Sequence, residues 1–413
     1  QPEKANYQAA ARFSPSKLRK IIYSTAVDPH WLKLSNRFWF QLHGWFSLPI
    51  WLIFCFVCLT GTIAVFSHEL TWLTNPASRA ANPDNLPAKP AAELVATVQQ
   101  AYPTADVSMV MAFEPYLVNA VAFTDHDKPY ALAYVNQYTG DIQQINEGIT
   151  FIGFMRSLHG WLLFPWPGSY SVGYYLVSAM ALVMLGALVT GLIIYKNFWR
   201  SFTQPKVRLH QGKKTILTDL HRLAGVWSIW FLIVMSATGL WYLVQAVMWH
   251  ADIDIEPHAP LVSAEQLSAT TQTPPFSFAD AMAKTLQRYP DFRPSYLMLP
   301  EHNRGMYTLM GGGDHIFYDE QAYTLSINPW TGDIAHEKTP ADMTALQTVM
   351  HIADPLHYGT IGGIWTKAIW FLFGLMLSGM SITGFMIWGS RTVKAVRESR
   401  KAATLTEVNH GAQ

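Results

Sequence analysis

The sequence predicts an α-helical membrane bundle of four spans in two tandem repeats, carrying two periplasmic α+β domains. Three observations carry that prediction. Four apolar segments are each long enough to cross a bilayer as a helix, which takes about 20 residues. Lys and Arg gather in three of the polar segments, whereas most Asp and Glu lie in the other two. The order span, polar domain, span occurs twice, with matched motifs at matched places.

The apolar segments are Phe38–Val65, Val172–Tyr195, Leu223–Trp249 and Ile361–Trp388. The 413-residue chain is 50% hydrophobic and only 14% charged, against about 25% charged in soluble domains. Part of it therefore faces membrane lipid. A net charge of +1 gives no reason to expect nucleic acid as a partner. Two cysteines, Cys55 and Cys58, both lie in the first apolar run. They exclude a disulfide framework and read as small buried hydrophobes.

Orientation follows from the flanking basic residues. Eighteen of the 29 Lys and Arg fall in Gln1–Arg37, Lys196–Thr218 and the tail from Arg391. Both termini are then cytoplasmic and the two long loops are outside, which in a bacterial inner membrane means the periplasm. The expected division is a cytoplasmic segment 1–37, a first transmembrane helix 38–73 and an outer domain 74–156. An outer helix and second transmembrane helix (157–196) and a cytoplasmic loop (197–217) complete the first half. The second half repeats the plan: a third transmembrane helix 218–250, an outer domain 251–345, an outer segment with the fourth transmembrane helix 346–390, and a cytoplasmic tail 391–413.

Each outer loop opens with a helix-like stretch, Ala91–Tyr102 or Phe278–Tyr289, and continues in alternating strand patterns. Each then reaches a Thr-Gly-Asp-Ile turn, at Thr139–Ile142 and Thr331–Ile334. Gly supplies the positive φ of such a turn and Asp can close it with its side chain. The Gly311–Asp314 run reads as a further turn. No G-x-G-x-x-G follows a strand, so the chain is expected to bind neither NAD(P)H nor FAD itself.

The membrane segments repeat as well. Leu42-His43 and Leu220-His221 are each followed 18 residues later by a glycine, Gly61 and Gly239, in a Thr-Gly pair. Leu158-His159 and Leu356-His357 each lead to a span ending in Thr-Gly, at Gly191 and Gly384. Ionisable residues at membrane depth are costly, and functional by default. One histidine alone would read as a hydrogen-bonded interface residue, but four at matched positions point to a ligand set. His43 and His221 lie near the inner face, His159 and His357 near the outer face. Each pair can face across the bundle axis, and two axial imidazoles are what a six-coordinate b-type haem takes. A rise of about 27 Å over 18 helical residues sets Gly61 and Gly239 level with the outer pair, and Gly191 and Gly384 level with the inner pair. Small residues there admit a flat macrocycle, or else close helix packing. The expected cofactor is thus two b-type haems (heme b) per chain. Leu59 after Cys58 excludes covalent c-type attachment. Lys367 and Arg222 are candidate partners of the haem propionates, or interfacial anchors. His351 is an alternative outer iron ligand.

Leu42-His43-Gly44, Thr60-Gly61, the two Thr-Gly-Asp-Ile strands, Leu158-His159, Leu220-His221-Arg222, Pro355–Gly359 (PLHYG) and Ser381–Gly384 (SITG) together resemble the PepSY-associated transmembrane family. That group includes PiuB-type iron-uptake proteins and FoxB-like siderophore reductases. The resemblance covers about residues 38–390. It implies a four-span inner-membrane protein with two periplasmic PepSY domains, b haems, and reduction of ferric siderophore in the periplasm. In Leu158–Gly168 two prolines depart from the pattern. The expected function is transmembrane electron transfer to a ferric siderophore, with quinol or a separate cytoplasmic reductase as donor and a cleft between the outer domains for the acceptor. Trp72, Phe164, Trp166, Tyr170, Tyr358 and Trp365 are a candidate platform for the chelate, or an interfacial belt. The rivals are a PepSY-type regulator of a peptidase, with structural histidines, and a permease for the chelate or its iron.

Overall fold

The structure, a computed structural model, describes residues 35–196, 198–267 and 273–411. Most of the basic N-terminal segment 1–37 lies outside them. The first apolar run does not form one straight helix. It forms α1 (Asn36–Ser47) and α2 (Trp51–Ala64), bent by 63° at the break. Pro49 sits in that break, where its missing N–H and fixed φ end a helix. A short α3 (Ser67–Thr74) continues outward. The third run is also in two pieces, α8 (Lys213–Trp227) and α9 (Ile229–His250), separated at Ser228. Between these lie α6 (Val172–Ile194) and a short α7 (Phe198–Thr203), and the last run opens α12 (Gly363–Gly411). Three helices, within α6, α9 and α12, are long and apolar enough to span, and the α1–α2 pair makes a fourth if it crosses as one. The protein is a multi-pass membrane protein. The bundle packs α6 against α9 and α12 against α2, with α1 along α6 and α8 along α12.

The polar loops fold together. The first holds α4 (Ala91–Ala101) and strands β1 (Asp106–Met111), β2 (Asn119–Asp125), β3 (Lys128–Val135) and β4 (Ile142–Asn146). The second holds α10 (Phe278–Arg288) and strands β5 (Arg293–Met298), β6 (Tyr307–Gly312), β7 (Tyr323–Ile327) and β8 (Ile334–Lys338). All eight strands form one antiparallel sheet in the order β4-β3-β2-β1-β5-β6-β7-β8. The join is the β1–β5 ladder, with Val110 opposite Leu297. The expected cleft between two outer domains is therefore replaced here by main-chain pairing, which satisfies two edges that would otherwise stay open. Helices α4 and α10 cover one face, and Leu94, Val98, Phe123, Leu297, Leu309 and Leu325 are fully buried in the shared core. Each contributes about 1.5–3 kcal/mol by leaving water.

The two turns form as read, with Gly140 at φ +87° and Gly332 at φ +73°. Their closing side chains differ from the expectation. Asn136 and Asn328 accept the N–H of Tyr138 and Trp330 at 2.9 and 2.8 Å, and the Asp residues contribute main-chain carbonyls. The Gly311–Asp314 run is not wholly a turn, because Gly311 and Gly312 belong to β6. A Cβ on Gly311 would lie 2.4 Å from the Arg293 carbonyl oxygen, so the strand passes too close for a side chain.

Between sheet and spans lie two outer helices, α5 (Phe151–Trp161) and α11 (Ala345–Tyr358). Helix α5 packs on α2, and α11 on α9. Thr150 and Thr344 cap them, as N-cap hydroxyls do. Leu162 and Leu163, both at positive φ, reverse the chain after α5, and Gly359 at φ +73° ends α11.

Candidate functional site

The end of the bundle nearer the sheet is called outer. Four histidines meet there and at the far end as two pairs. His159 on α5 and His357 on α11 have ring centres 6.1 Å apart, and His43 on α1 and His221 on α8 have theirs 6.3 Å apart. The pairing matches the reading from repeat and depth.

Each ring is held by the threonine of a Thr-Gly pair. His43 Nδ1 lies 2.9 Å from Thr190 Oγ1, His221 Nδ1 3.0 Å from Thr383 Oγ1, and His357 Nδ1 2.8 Å from Thr238 Oγ1. His159 Nδ1 lies 3.1 Å from the Val57 carbonyl oxygen and 3.5 Å from Thr60 Oγ1. A threonine hydroxyl has one proton to give. All four give it to a backbone carbonyl one turn back: Thr190 to Gly186, Thr383 to Gly379, Thr238 to Val234, Thr60 to Phe56. The threonine oxygens therefore accept from the imidazoles, and the proton sits on Nδ1. That tautomer puts the lone pair on Nε2, the nitrogen a metal takes when Nδ1 is fixed by an acceptor.

Fit to haem can be tested on these distances. Two opposed imidazoles, each about 2 Å from a shared metal ion, set ring centres about 6 Å apart. Both pairs meet that requirement, and the residues present fit two bis-imidazole haem irons.

The glycines serve the rings directly. A Cβ on Gly61 would lie 2.6 Å from His159 Cε1, and one on Gly384 or Gly191 would lie 3.4 or 3.6 Å from Cε1 of His221 or His43. These three are level with the pairs the spacing assigned them to. Gly239 differs: its added Cβ would meet Ala181 at 2.8 Å, so it serves α9–α6 packing. The threonines were the signal in the repeat that sequence reasoning passed over in favour of their glycines.

Other candidates take different partners. His351, the alternative outer ligand, is 2% exposed, and both its ring nitrogens have partners outside the pair. Its Nδ1 lies 2.8 Å from Asp319, and its Nε2 lies 3.0 Å from Glu256 and 2.8 Å from Lys338 Nζ. Burial disfavours its charge, yet the carboxylates of Asp319 and Glu256 outweigh burial and hold its pKa above the ordinary value. Arg222 lies 5.8 Å from the Tyr195 ring centre. The proposed aromatic platform divides: Trp166 meets Trp161, Tyr174 and Trp249, Tyr170 meets His250, and Trp72 meets Arg79. Both cysteines are free.

Lys367 is bound by protein carboxylates. Its Nζ lies 2.8 Å from Glu69 and 3.1 Å from Glu114, joining α12 to α3 and the β1–β2 loop. Removing one partner of such a buried group costs about 3–5 kcal/mol. Lys367→Met is therefore expected to lower stability by about 3 kcal/mol, as measured by thermal unfolding. An unchanged melting temperature would show that the two carboxylates do not need Lys367.

Sequence reasoning also missed the polar residues around the outer pair. Arg156 stands one turn before His159, and Asp354 one turn before His357. Asp354 accepts a 2.7 Å hydrogen bond from Tyr242, whose ring lies 5.0 Å from that of His357. Burial pushes the Asp354 carboxyl up to about 6, against the lowering effect of the Tyr242 bond.

Spans bearing matched histidine pairs beside an antiparallel α+β sheet define a multi-pass membrane protein with two internal histidine pairs. The sequence pattern of one family, the PepSY-associated TM region, matches residues 40–391. The chain belongs to that family. No curated protein matches it.

Proposed function

We propose that the protein is a haem-containing reductase of a bacterial inner membrane. It passes electrons across the membrane to reduce ferric siderophore in the periplasm, so that iron is released. The observation that carries this reading is the set of four imidazoles, each held as the Nδ1–H tautomer, in two pairs with ring centres 6.1 and 6.3 Å apart. His43 with His221, and His159 with His357, would hold the two irons through Nε2. Haem bound there supplies one-electron redox chemistry at two depths. The chain's part is to orient the imidazoles, exclude water from the spans, and set access from the outer side.

The reading takes the chain as two tandem repeats. Each has a His-bearing helix, a span, a helix and four strands of PepSY type, an outer His-bearing helix and a second span. Both termini lie in the cytoplasm and the sheet in the periplasm. The donor is quinol or a separate cytoplasmic reductase. Siderophore oxygens are hard ligands suited to Fe(III), so reduction loosens the chelate. The β1–β5 join weighs against a permease, because rocking one half against the other would strain paired main chain.

A reduced-minus-oxidised spectrum with pyridine haemochrome quantitation tests the reading. The expected result is about two b haems per chain, reoxidised by an impermeant ferric siderophore added on the sheet side. A protein without a Soret band overturns it and favours the peptidase-regulator reading.

A further inference from the structure

We propose that Arg156, with Tyr296 and Tyr358, forms a carboxylate-binding site over the outer histidine pair. The inference rests on the haem reading above and deepens it.

Arg156 projects from α5 one turn outward of His159. It faces the phenol groups of Tyr358, which follows His357, and of Tyr296 on β5, the strand at the sheet join. Among the described residues it has no carboxylate within ion-pair distance. The nearest acidic group bearing on it, Asp354, has an oxygen taken by Tyr242. The contrast with Lys367 decides the matter. Lys367 is buried and satisfied by two glutamates, whereas Arg156 is accessible and Tyr358 is 40% exposed.

Arg156 is also the one charged side chain, among the described residues, lining a cavity of about 310 Å³ under the first half of the sheet, with Phe113, Tyr130, Tyr134 and Tyr296 around it. A guanidinium presents a planar fork that matches a carboxylate with two parallel hydrogen bonds. Flanking phenols can hold that fork and donate to the same anion. A carboxylate can reach Arg156 from the histidine side, as a haem propionate, or from the cavity, as a carboxylate of the ferric chelate.

The test uses the full-length protein and Arg156→Gln, with Arg156→Lys as the conservative variant. Redox titration of each haem is one arm. The KM for ferric citrate against that for a ferric trihydroxamate is the other. A propionate at Arg156 predicts that the outer transition alone moves to lower potential in Arg156→Gln, because a positive charge that favoured the reduced form is gone, and that Arg156→Lys largely restores it. A chelate carboxylate predicts a KM for ferric citrate raised at least about tenfold in Arg156→Gln, with the trihydroxamate unaffected, whereas a propionate leaves that ratio unchanged. Two haems retained, with neither the potential nor the KM ratio changed, overturns the inference and leaves the haem reading standing. A wild-type protein without haem overturns both. If Arg156→Gln does not fold, Arg156→Met and Tyr296→Phe carry the same two readouts, and no change in either readout in these variants counts against the site.

Discussion

On the proposed haem reading, His357→Ala is expected to abolish reduction of an impermeant ferric siderophore while the inner haem stays reducible by its donor. His357 supplies one of the two Nε2 lone pairs of the outer site, and Thr238 fixes it there at 2.8 Å. Truncation leaves His159 facing an empty position. Groups that merely support a metal ligand are worth about 10–100-fold in affinity or activity, so loss of the ligand itself should exceed about 100-fold. Haem content should fall from about two to about one per chain. Reduction is measured in proteoliposomes with the acceptor confined to the sheet side. A wild-type rate in the variant, or reoxidation that needs access to the opposite face, would sink the proposed direction of electron flow.

The second large effect concerns the inner pair. His43→Ala and His221→Ala should each empty the inner site and leave the outer spectrum largely intact, because the two rings belong to one site 6.3 Å apart and share no contact with His159 or His357 among the described residues. Full haem content in both variants would refute the pairing. Thr383→Val gives a gentler version of the same experiment. It keeps side-chain shape while removing the acceptor of His221 Nδ1–H, and the inner haem should bind about 10–100-fold more weakly. Because a valine at this position need not disturb packing, weakened binding there cannot be blamed on a collapsed bundle.

The histidine pairing was legible in the sequence because it rests on local repetition. A histidine 18 residues ahead of a Thr-Gly glycine, twice over, and a Leu-His pair ahead of each of two spans that end in Thr-Gly, are visible without a structure. What the sequence hides is set by distant segments. The break at Pro49 falls inside an uninterrupted apolar run, and hydropathy reports composition rather than direction. The partners of Lys367 lie roughly 250 and 300 positions away. Arg156 and Asp354 look like ordinary charges on amphipathic helices until α5 and α11 set them over one site. The continuous sheet was equally hidden, since nothing in Asp106–Met111 or Arg293–Met298 marks either strand as an edge that will find the other.

That join also imposes a timetable on biogenesis. Between Val110 and its opposite Leu297 the chain lays down β2–β4 and helices α5–α10, two of them spans. During synthesis the first four strands exist before their neighbours do, with β1 open to anything extended, and its Val107, Met109 and Met111 add apolar surface to that edge. The sheet cannot close until the apolar helix α9 is in place and the second polar loop has been made after it. Contacts this far apart in sequence form late. The slow step of maturation is then the joining of the two half-sheets rather than helix formation, and a chain stalled after α6 would be the species most exposed to proteolysis and strand-mediated aggregation.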